Sequence, residues 1–237
     1  MKKRLLFLYW ELRYRYRKRL WDKAARKSII NGVALMYHHV TNEFVDINDS
    51  CKCTVAEFIN TLLQVKAEGR RFVSVSEMLK LIADKSNEKF AVVTFDDVPD
   101  NFYTNAYPFL KQERIPFILF VTTSFIDKPG YLSKEQILDL DKDELCTIGG
   151  HTLTHPMLRK VNNSFEELSE SKKILESLLG HEVDYMAYPY GRQSSVSTKV
   201  MKEVKEAGYK CAFGTIQSPI SDTSSKNMFY IPRIVRK

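Results

Sequence analysis

Hydrophobic residues along this chain alternate between short runs typical of buried strands and longer stretches with helical spacing. The strand-like runs lie at residues 33–37, 72–75, 90–95, 116–121, 145–148, 183–188, 209–213 and 229–235. Between them, apolar residues recur every three or four positions, as at Phe58, Leu62 and Val65, which predicts amphipathic helices. Strands that alternate with helices of this length indicate parallel βα units. The unbroken alternation predicts a single α/β domain of barrel-like architecture over residues 31–237.

The first 30 residues have a different character and are predicted to form a basic amphipathic helical extension. Residues 1–28 hold eleven Lys and Arg against two acidic residues, a net charge of +9, whereas the whole chain carries +7. The remaining residues therefore carry −2, so nucleic-acid binding by the whole protein is not expected. On a helical wheel, one face of the extension is apolar and consists of Leu5, Leu8, Tyr9, Leu12, Tyr16 and Leu20.

Such a basic helix has three interpretations, which the sequence leaves open. It can lie on an anionic membrane surface, pack against the rest of the protein, or contact nucleic acid. The apolar run at residues 5–10 is too short for a signal peptide or a membrane span. Four cysteines, among them Cys51 and Cys53, show no CxxC spacing and are expected to be reduced thiols. A cytoplasmic protein is therefore expected, and the membrane interpretation would place residues 1–28 at the inner membrane surface.

Two polar clusters at the ends of apolar runs carry the chemistry. Asp96 and Asp97 end the strand-like run at residues 90–95, and Pro99 prevents the strand from continuing. Because neighbouring strand residues point to opposite faces, both carboxylates reach one pocket only if the strand finishes there. Two carboxylates in a dry pocket repel each other unless a cation compensates, which favours a divalent metal ion on one of them.

The second cluster is His151-Thr152-Leu153-Thr154-His155-Pro156, which follows Gly149 and Gly150. No glutamate follows His151, so the helical motif of zinc proteases is absent. One carboxylate with two histidines makes a three-ligand metal site with an open position, and the other carboxylate is left as a base. This combination indicates metal-assisted hydrolysis.

These residues resemble the motifs of a known family. Thr94-Phe95-Asp96-Asp97 and the histidine cluster look like the first two motifs of the polysaccharide deacetylases, the NodB-homology domain of carbohydrate esterase family 4. Tyr188-Pro189-Tyr190-Gly191 is similar to the third motif, and residues 35–40 resemble the opening strand of the poly-N-acetylglucosamine deacetylases. The resemblance implies a distorted (β/α)7 barrel that removes acetyl groups from N-acetylated sugars of a polysaccharide or a lipid-linked glycan precursor.

The resemblance also implies roles for individual residues. Asp97, His151 and His155 would bind one divalent metal ion, with zinc favoured and cobalt, nickel or iron as alternatives. Asp96 would be the general base, the backbone N–H of Tyr190 would stabilise the oxyanion, and His38 would be the general acid.

The chain departs from the family pattern at several positions. Val98 stands where the family has glycine, and Ala187 and Tyr188 occupy the region of an arginine that orients the base. Arg192 and Arg233 are the two candidates to replace that arginine. No histidine follows His181, so the acid of the last motif is missing and His38 is expected to replace it. The alternatives are an O-acetyl esterase of the same fold and a non-catalytic glycan-binding homologue.

Overall fold

The computed structural model describes residues 2–42 and 52–235 and shows a curled, all-parallel sheet surrounded by helices. The strands are β1 Asn31–Tyr37, β2 Val40–Thr41, β3 Cys53–Thr54, β4 Arg71–Phe72, β5 Lys89–Asp96, β6 Phe117–Val121, β7 Cys146–Gly150, β8 Tyr185–Ala187 and β9 Cys211–Phe213. The main sheet runs in the order β1-β5-β6-β7-β8-β9, β4 pairs with the first part of β5, and β2 pairs with β3 separately. The predicted α/β fold, a distorted (β/α)7 barrel in one domain, is confirmed.

The helices follow the apolar spacing of the sequence. They are α1 Lys2–Ala25, α2 Val55–Ala67, α3 Val75–Ala83, α4 Tyr107–Gln112, α5 Lys134–Asp141, α6 Ser164–Leu179, α7 Thr198–Glu206 and α8 Asp222–Lys226. Thr54 and Glu57 form a capping box that starts α2, as expected from a threonine ahead of an amphipathic run. A π-helical turn, Phe102–Ala106, precedes α4, whose first turn holds Pro108, so proline begins this helix instead of breaking it.

The C-terminal residues 231–234 close the curled sheet. The N–H of Ile231 donates to the carbonyl of Ala212 in β9, and the N–H of Ile234 donates to the carbonyl of Ala34 in β1. This segment pairs with the sheet only through two isolated parallel bridges, Phe213 with Ile231 and Leu35 with Ile234. The sequence predicts a longer strand-like run at residues 229–235. The last residues described therefore lie between the first and last strands of the sheet and reach the inside of the barrel.

Both faces of the sheet are apolar, as expected for parallel strands covered on two sides. Along β5, Ala91, Val93 and Phe95 belong to a core shared with α2, α4, α5, α6 and α7. The alternating residues Phe90 and Val92 belong to a second core that includes α3. The carboxyl ends of β1, β5, β7 and β8 meet at one end of the barrel, and polar residues follow each of them, which is where active sites of βα barrels lie.

The N-terminal helix α1 packs on this barrel through one face only. Trp21 is 9% exposed against Tyr230, with 6.4 Å between ring centroids, and Asp22 accepts a hydrogen bond from Ser218. The apolar wheel face identified in the sequence lies on roughly the opposite side, at 100° per residue, and all six of its residues are exposed. No described helix is long and apolar enough to cross a membrane. The division between residues 30 and 31 stays a prediction.

Cys146 and Cys211 are free thiols. The expectation for Cys51 lies outside the described residues.

Candidate metal centre and catalytic site

Three of the predicted site residues meet at the carboxyl end of the sheet. Asp97 directly follows β5, His151 directly follows β7, and His155 lies four residues further along the same loop. The distance from Asp97 Oδ1 to His155 Nε2 is 3.4 Å, and to His151 Nε2 it is 3.7 Å. One potential ligand atom from each residue lies within 4.8 Å of the other two, so a single ion can contact all three.

The surroundings of these side chains fit a divalent metal ion. His151 Nδ1 lies 2.8 Å from the carbonyl of Ala187, which can only accept, so Nδ1 carries the proton and Nε2 keeps its lone pair. Burial lowers the pKa of His151 to about 4, although the negative charges of Asp96 and Asp97 act in the direction of raising it. The imidazole is therefore neutral. The hydroxyl of Thr122 donates to Asp97 Oδ1 over 3.3 Å. A carboxylate and two imidazoles form one of the donor sets of catalytic zinc sites.

Asp96 lies beside this cluster but is held by a different partner. It is almost completely buried, and both of its carboxylate oxygens accept hydrogen bonds from Arg233, at 2.5 and 2.6 Å. Burial opposes ionisation of Asp96, but the charge and hydrogen bonds of Arg233 outweigh it and lower the pKa of Asp96 well below its usual value. Asp96 is therefore a carboxylate that is ionised and fixed in orientation next to the candidate metal ligands.

The structure distinguishes the two arginine candidates. Arg233 lies in the closing segment, is fully buried, and also bonds Thr94 Oγ1 and the carbonyl of Gly214. Arg192 is directed to α1 instead, where it forms a 2.6 Å ion pair with Glu11. Arg233 thus occupies the position of a base-orienting arginine, although it comes from the other end of the chain.

The other two predicted catalytic residues line the same cavity as Asp96 and His151. This cavity has a volume of about 320 Å³, and His38 and Tyr190 both contribute to its wall. Tyr190 is 52% exposed, and its ring centroid is 4.9 Å from that of His155. Among the described residues, the backbone N–H of Tyr190 has no hydrogen-bond acceptor, so it is available to a ligand. His39 faces Asn101 and His181 pairs with Asp141, so neither belongs to the site.

Left-handed backbone conformations concentrate around the site. Asp97, Val98, Thr152, His155 and Tyr190 all have φ between 53° and 70°. This region is unfavourable for residues with a Cβ, most of all for a β-branched one, and persists where surrounding contacts impose it. Val98 at φ 53° therefore adopts the conformation that the family's usual glycine accepts most easily, and the turn keeps its shape despite the substitution.

Sequence reasoning missed the part of the cavity wall formed by α1 and the loop after Tyr190. Tyr14, Ser194, Ser195 and Gln217 all line the cavity. A signal for Tyr14 was present, because Trp10, Tyr14 and Trp21 form an aromatic stripe at helical spacing. The leucine-rich face is the more apolar one in the sequence, yet the aromatic stripe is the face that packs on the barrel.

Comparisons with known proteins agree with this geometry. The polysaccharide deacetylase family profile matches residues 83–212. The poly-beta-1,6-N-acetyl-D-glucosamine N-deacetylase of Staphylococcus aureus (strain MRSA252) is 27% identical over 232 residues, covering 86% of this chain and 78% of that protein.

Solved structures show the same fold. The putative polysaccharide deacetylase BA0330 from Bacillus anthracis has a TM-score of 0.76 at 26% identity, covering 87% of this chain, which spans 65% of that structure. The Streptococcus pyogenes deacetylase PplD, solved with acetate, has a TM-score of 0.76 at 24% identity, covering 86% of this chain and 92% of that one. The family profile covers more than half of the chain and includes Asp96, Asp97, His151 and His155. The chain therefore belongs to the polysaccharide deacetylase family, a family of hydrolases.

Proposed function

We propose that this protein is a metal-dependent N-deacetylase that releases acetate from N-acetylglucosamine units of a polysaccharide or its lipid-linked precursor. The observation that carries the proposal is the ionised, buried Asp96 placed directly beside the cluster of Asp97, His151 and His155. Similarity to the Staphylococcus aureus poly-beta-1,6-N-acetyl-D-glucosamine N-deacetylase supports the choice of sugar.

The residues of the cavity have complementary roles in amide hydrolysis. Asp97, His151 and His155 would hold a divalent ion, zinc being favoured, and such an ion lowers the pKa of bound water and polarises a carbonyl oxygen. Asp96 accepts the proton of the attacking water, since it is ionised and fixed by Arg233. The Tyr190 N–H donates to the oxygen that becomes negatively charged, and His38 donates a proton to the departing amine. Acetate and a glucosamine unit leave.

Acetate release tests the proposal directly. The purified protein, loaded with zinc, is incubated with β-1,6-linked N-acetylglucosamine pentamer and with an O-acetylated, N-unsubstituted counterpart. We expect acetate from the N-acetylated pentamer only, and none after treatment with a chelator. Release from the O-acetyl substrate alone would identify an esterase. Pentamer binding without release from either substrate would indicate a non-catalytic glycan-binding homologue.

The same preparations test the ligand set by elemental analysis. His155→Ala should lose most of its bound zinc, because two protein ligands hold the ion far more weakly than three. His181→Ala is the matched control, since His181 lies at the surface with Asp141 and should leave the zinc content unchanged. Full zinc occupancy in His155→Ala would refute the assignment.

We also infer that the exposed face of α1 binds an anionic membrane surface. Leu5, Leu8, Leu12 and Leu20 are each about half exposed or more, on the side of the helix turned away from the barrel. The net charge of +9 over residues 1–28 complements anionic headgroups, and exposed apolar residues between such charges are typical of helices that lie in the membrane interface. The inner membrane surface, with a lipid-linked glycan as substrate, is the location we propose.

Sedimentation with liposomes tests this membrane contact without removing α1. The triple variant Leu5→Ser, Leu8→Ser, Leu12→Ser should bind vesicles with 30% phosphatidylglycerol at least tenfold more weakly, because three exposed side chains lose their apolar burial in the bilayer. The control replaces three exposed apolar residues elsewhere, Leu63, Phe165 and Ile174, by serine. Equal binding by both triple variants would contradict the inference, as would equal binding of the wild type to neutral vesicles.

A further inference from the structure

Helix α1 forms part of the wall of the catalytic cavity. Tyr14 lines that cavity together with Asp96 and His151, although more than 80 residues separate it from them in sequence. The opposite side of the same helix carries the exposed leucines. Helix α1 therefore has an exposed apolar face on one side and an aromatic ring in the wall of the catalytic cavity on the other.

Two polar contacts fix the position of the Tyr14 ring. Its hydroxyl oxygen accepts a hydrogen bond from the backbone N–H of Gln217 at 3.3 Å. The guanidinium of Arg192 lies 4.9 Å from the ring centroid, and the same guanidinium pairs with Glu11 one helical turn away. The charge of Arg192 is thus neutralised locally, and the ring is held at the cavity wall by contacts on two sides.

Ser195, on the loop that follows Tyr190, adds a polar group to the same wall. It is 1% exposed, and its hydroxyl has no hydrogen-bond partner among the described residues. Its backbone is held, since its carbonyl accepts from the N–H of Arg159 and its N–H donates to the carbonyl of Arg192. An unpaired buried hydroxyl is unfavourable unless a ligand completes its hydrogen bonding.

From these observations we infer that Tyr14 and Ser195 form a second sugar subsite, which holds the unit next to the one that is deacetylated. A flat aromatic ring beside a few polar groups is the typical lining of a site for a compact, partly apolar ligand. A pyranose ring has an apolar C–H face for Tyr14 and hydroxyl groups for Ser195. The inference rests on the proposed function for the identity of the sugar. It makes α1 a specificity element that favours oligomers over free N-acetylglucosamine.

The experiment compares acetate release from the β-1,6-linked pentamer and from the free monosaccharide. Tyr14→Ala should raise KM for the pentamer about tenfold with kcat changed less than twofold, and leave monosaccharide turnover unchanged. Ser195→Ala should raise the pentamer KM about fivefold without lowering the thermal unfolding temperature, because the Ser195 hydroxyl bonds to none of the described residues. Tyr14→Phe keeps the ring and should stay within about twofold of the wild type.

The matched control is Tyr16→Ala, which removes the same side chain from the same helix at a position that is 65% exposed and outside the cavity. It should change neither parameter. A fall in kcat for both substrates, or a lower KM in Tyr14→Ala, would overturn the subsite, since the first indicates a structural role and the second an obstructing one.

Calorimetric titration of the pentamer into the same variants separates the subsite from the proposed function. A tenfold weaker Kd in Tyr14→Ala supports the subsite even if the wild type releases no acetate, in which case only the proposed function fails. An unchanged Kd in both Tyr14→Ala and Ser195→Ala overturns the subsite whatever the activity.

Discussion

Replacing Asp96 by asparagine is expected to lower kcat for deacetylation by a factor of roughly 10² to 10⁴, the usual contribution of a general base. Asparagine has the same shape but cannot accept the proton of the attacking water. Asp97, His151 and His155 are untouched, so the zinc content measured by elemental analysis should remain at the wild-type level. The loss should appear in kcat more than in KM, because proton transfer takes place in the transition state.

The matched control for this prediction is Asp100→Asn, the same substitution four residues further along on an exposed side chain. It should keep activity within about twofold. Rates are normalised to folded protein, because Asp96→Asn also leaves Arg233 without its charged partner. Wild-type kcat in a folded, zinc-loaded Asp96→Asn protein would remove Asp96 from the role of base.

The fold could be predicted largely from local pattern. Strands β1, β5 and β6 contain runs of β-branched, aromatic and aliphatic residues, and helix α2 repeats its apolar residues every three or four positions. The cluster of Asp97, His151 and His155 was also accessible, because parallel strands bring their carboxyl ends to one edge. In that respect the site follows from topology alone.

The partner of Asp96 could not be derived in this way. Arg233 reaches Asp96 only because residues 231–234 enter between β1 and β9, and only isolated bridges mark that segment, not a continuous ladder. A short extended stretch at residues 229–235 does not reveal which strands it contacts. Arg192, which lies beside the third motif, was an equal candidate in sequence, yet it pairs with Glu11.

The orientation of α1 shows the same limit of local pattern. Its leucine-rich face is the more apolar one, so hydrophobicity alone would bury it against the barrel. The structure buries the face with Trp21 and Tyr14 instead, since that face combines ring contacts with specific partners such as Gln217 and Ser218. Helix α1 has two apolar faces, and a helical wheel does not predict which of them packs on the barrel.

Replacing Arg233 by methionine is expected to lower the free energy of unfolding at pH 7 by about 3–5 kcal/mol, the cost of leaving one partner of a buried ion pair uncompensated. Methionine roughly keeps the volume, so the loss arises mainly from Asp96, which stays buried without its cation. Urea unfolding of chelator-treated proteins measures this difference. Asp96→Asn in the Arg233→Met background should recover part of the loss, because it removes the unpaired charge.

The contribution of Asp96 to the free energy of unfolding should depend on pH with opposite sign in the wild type and in Arg233→Met. In the wild type the folded-state pKa of Asp96 lies below the unfolded value of roughly 3.9, so its stabilisation is present above that pH and lost on acidification. Without Arg233, burial raises the pKa of Asp96, and the folded variant binds a proton before the unfolded chain does. The stability difference should therefore shrink between pH 7 and pH 4, because the folded variant gains a proton at Asp96 over this range. A difference that is constant over this range would show that Arg233 stabilises the barrel through packing and not by compensating the charge of Asp96.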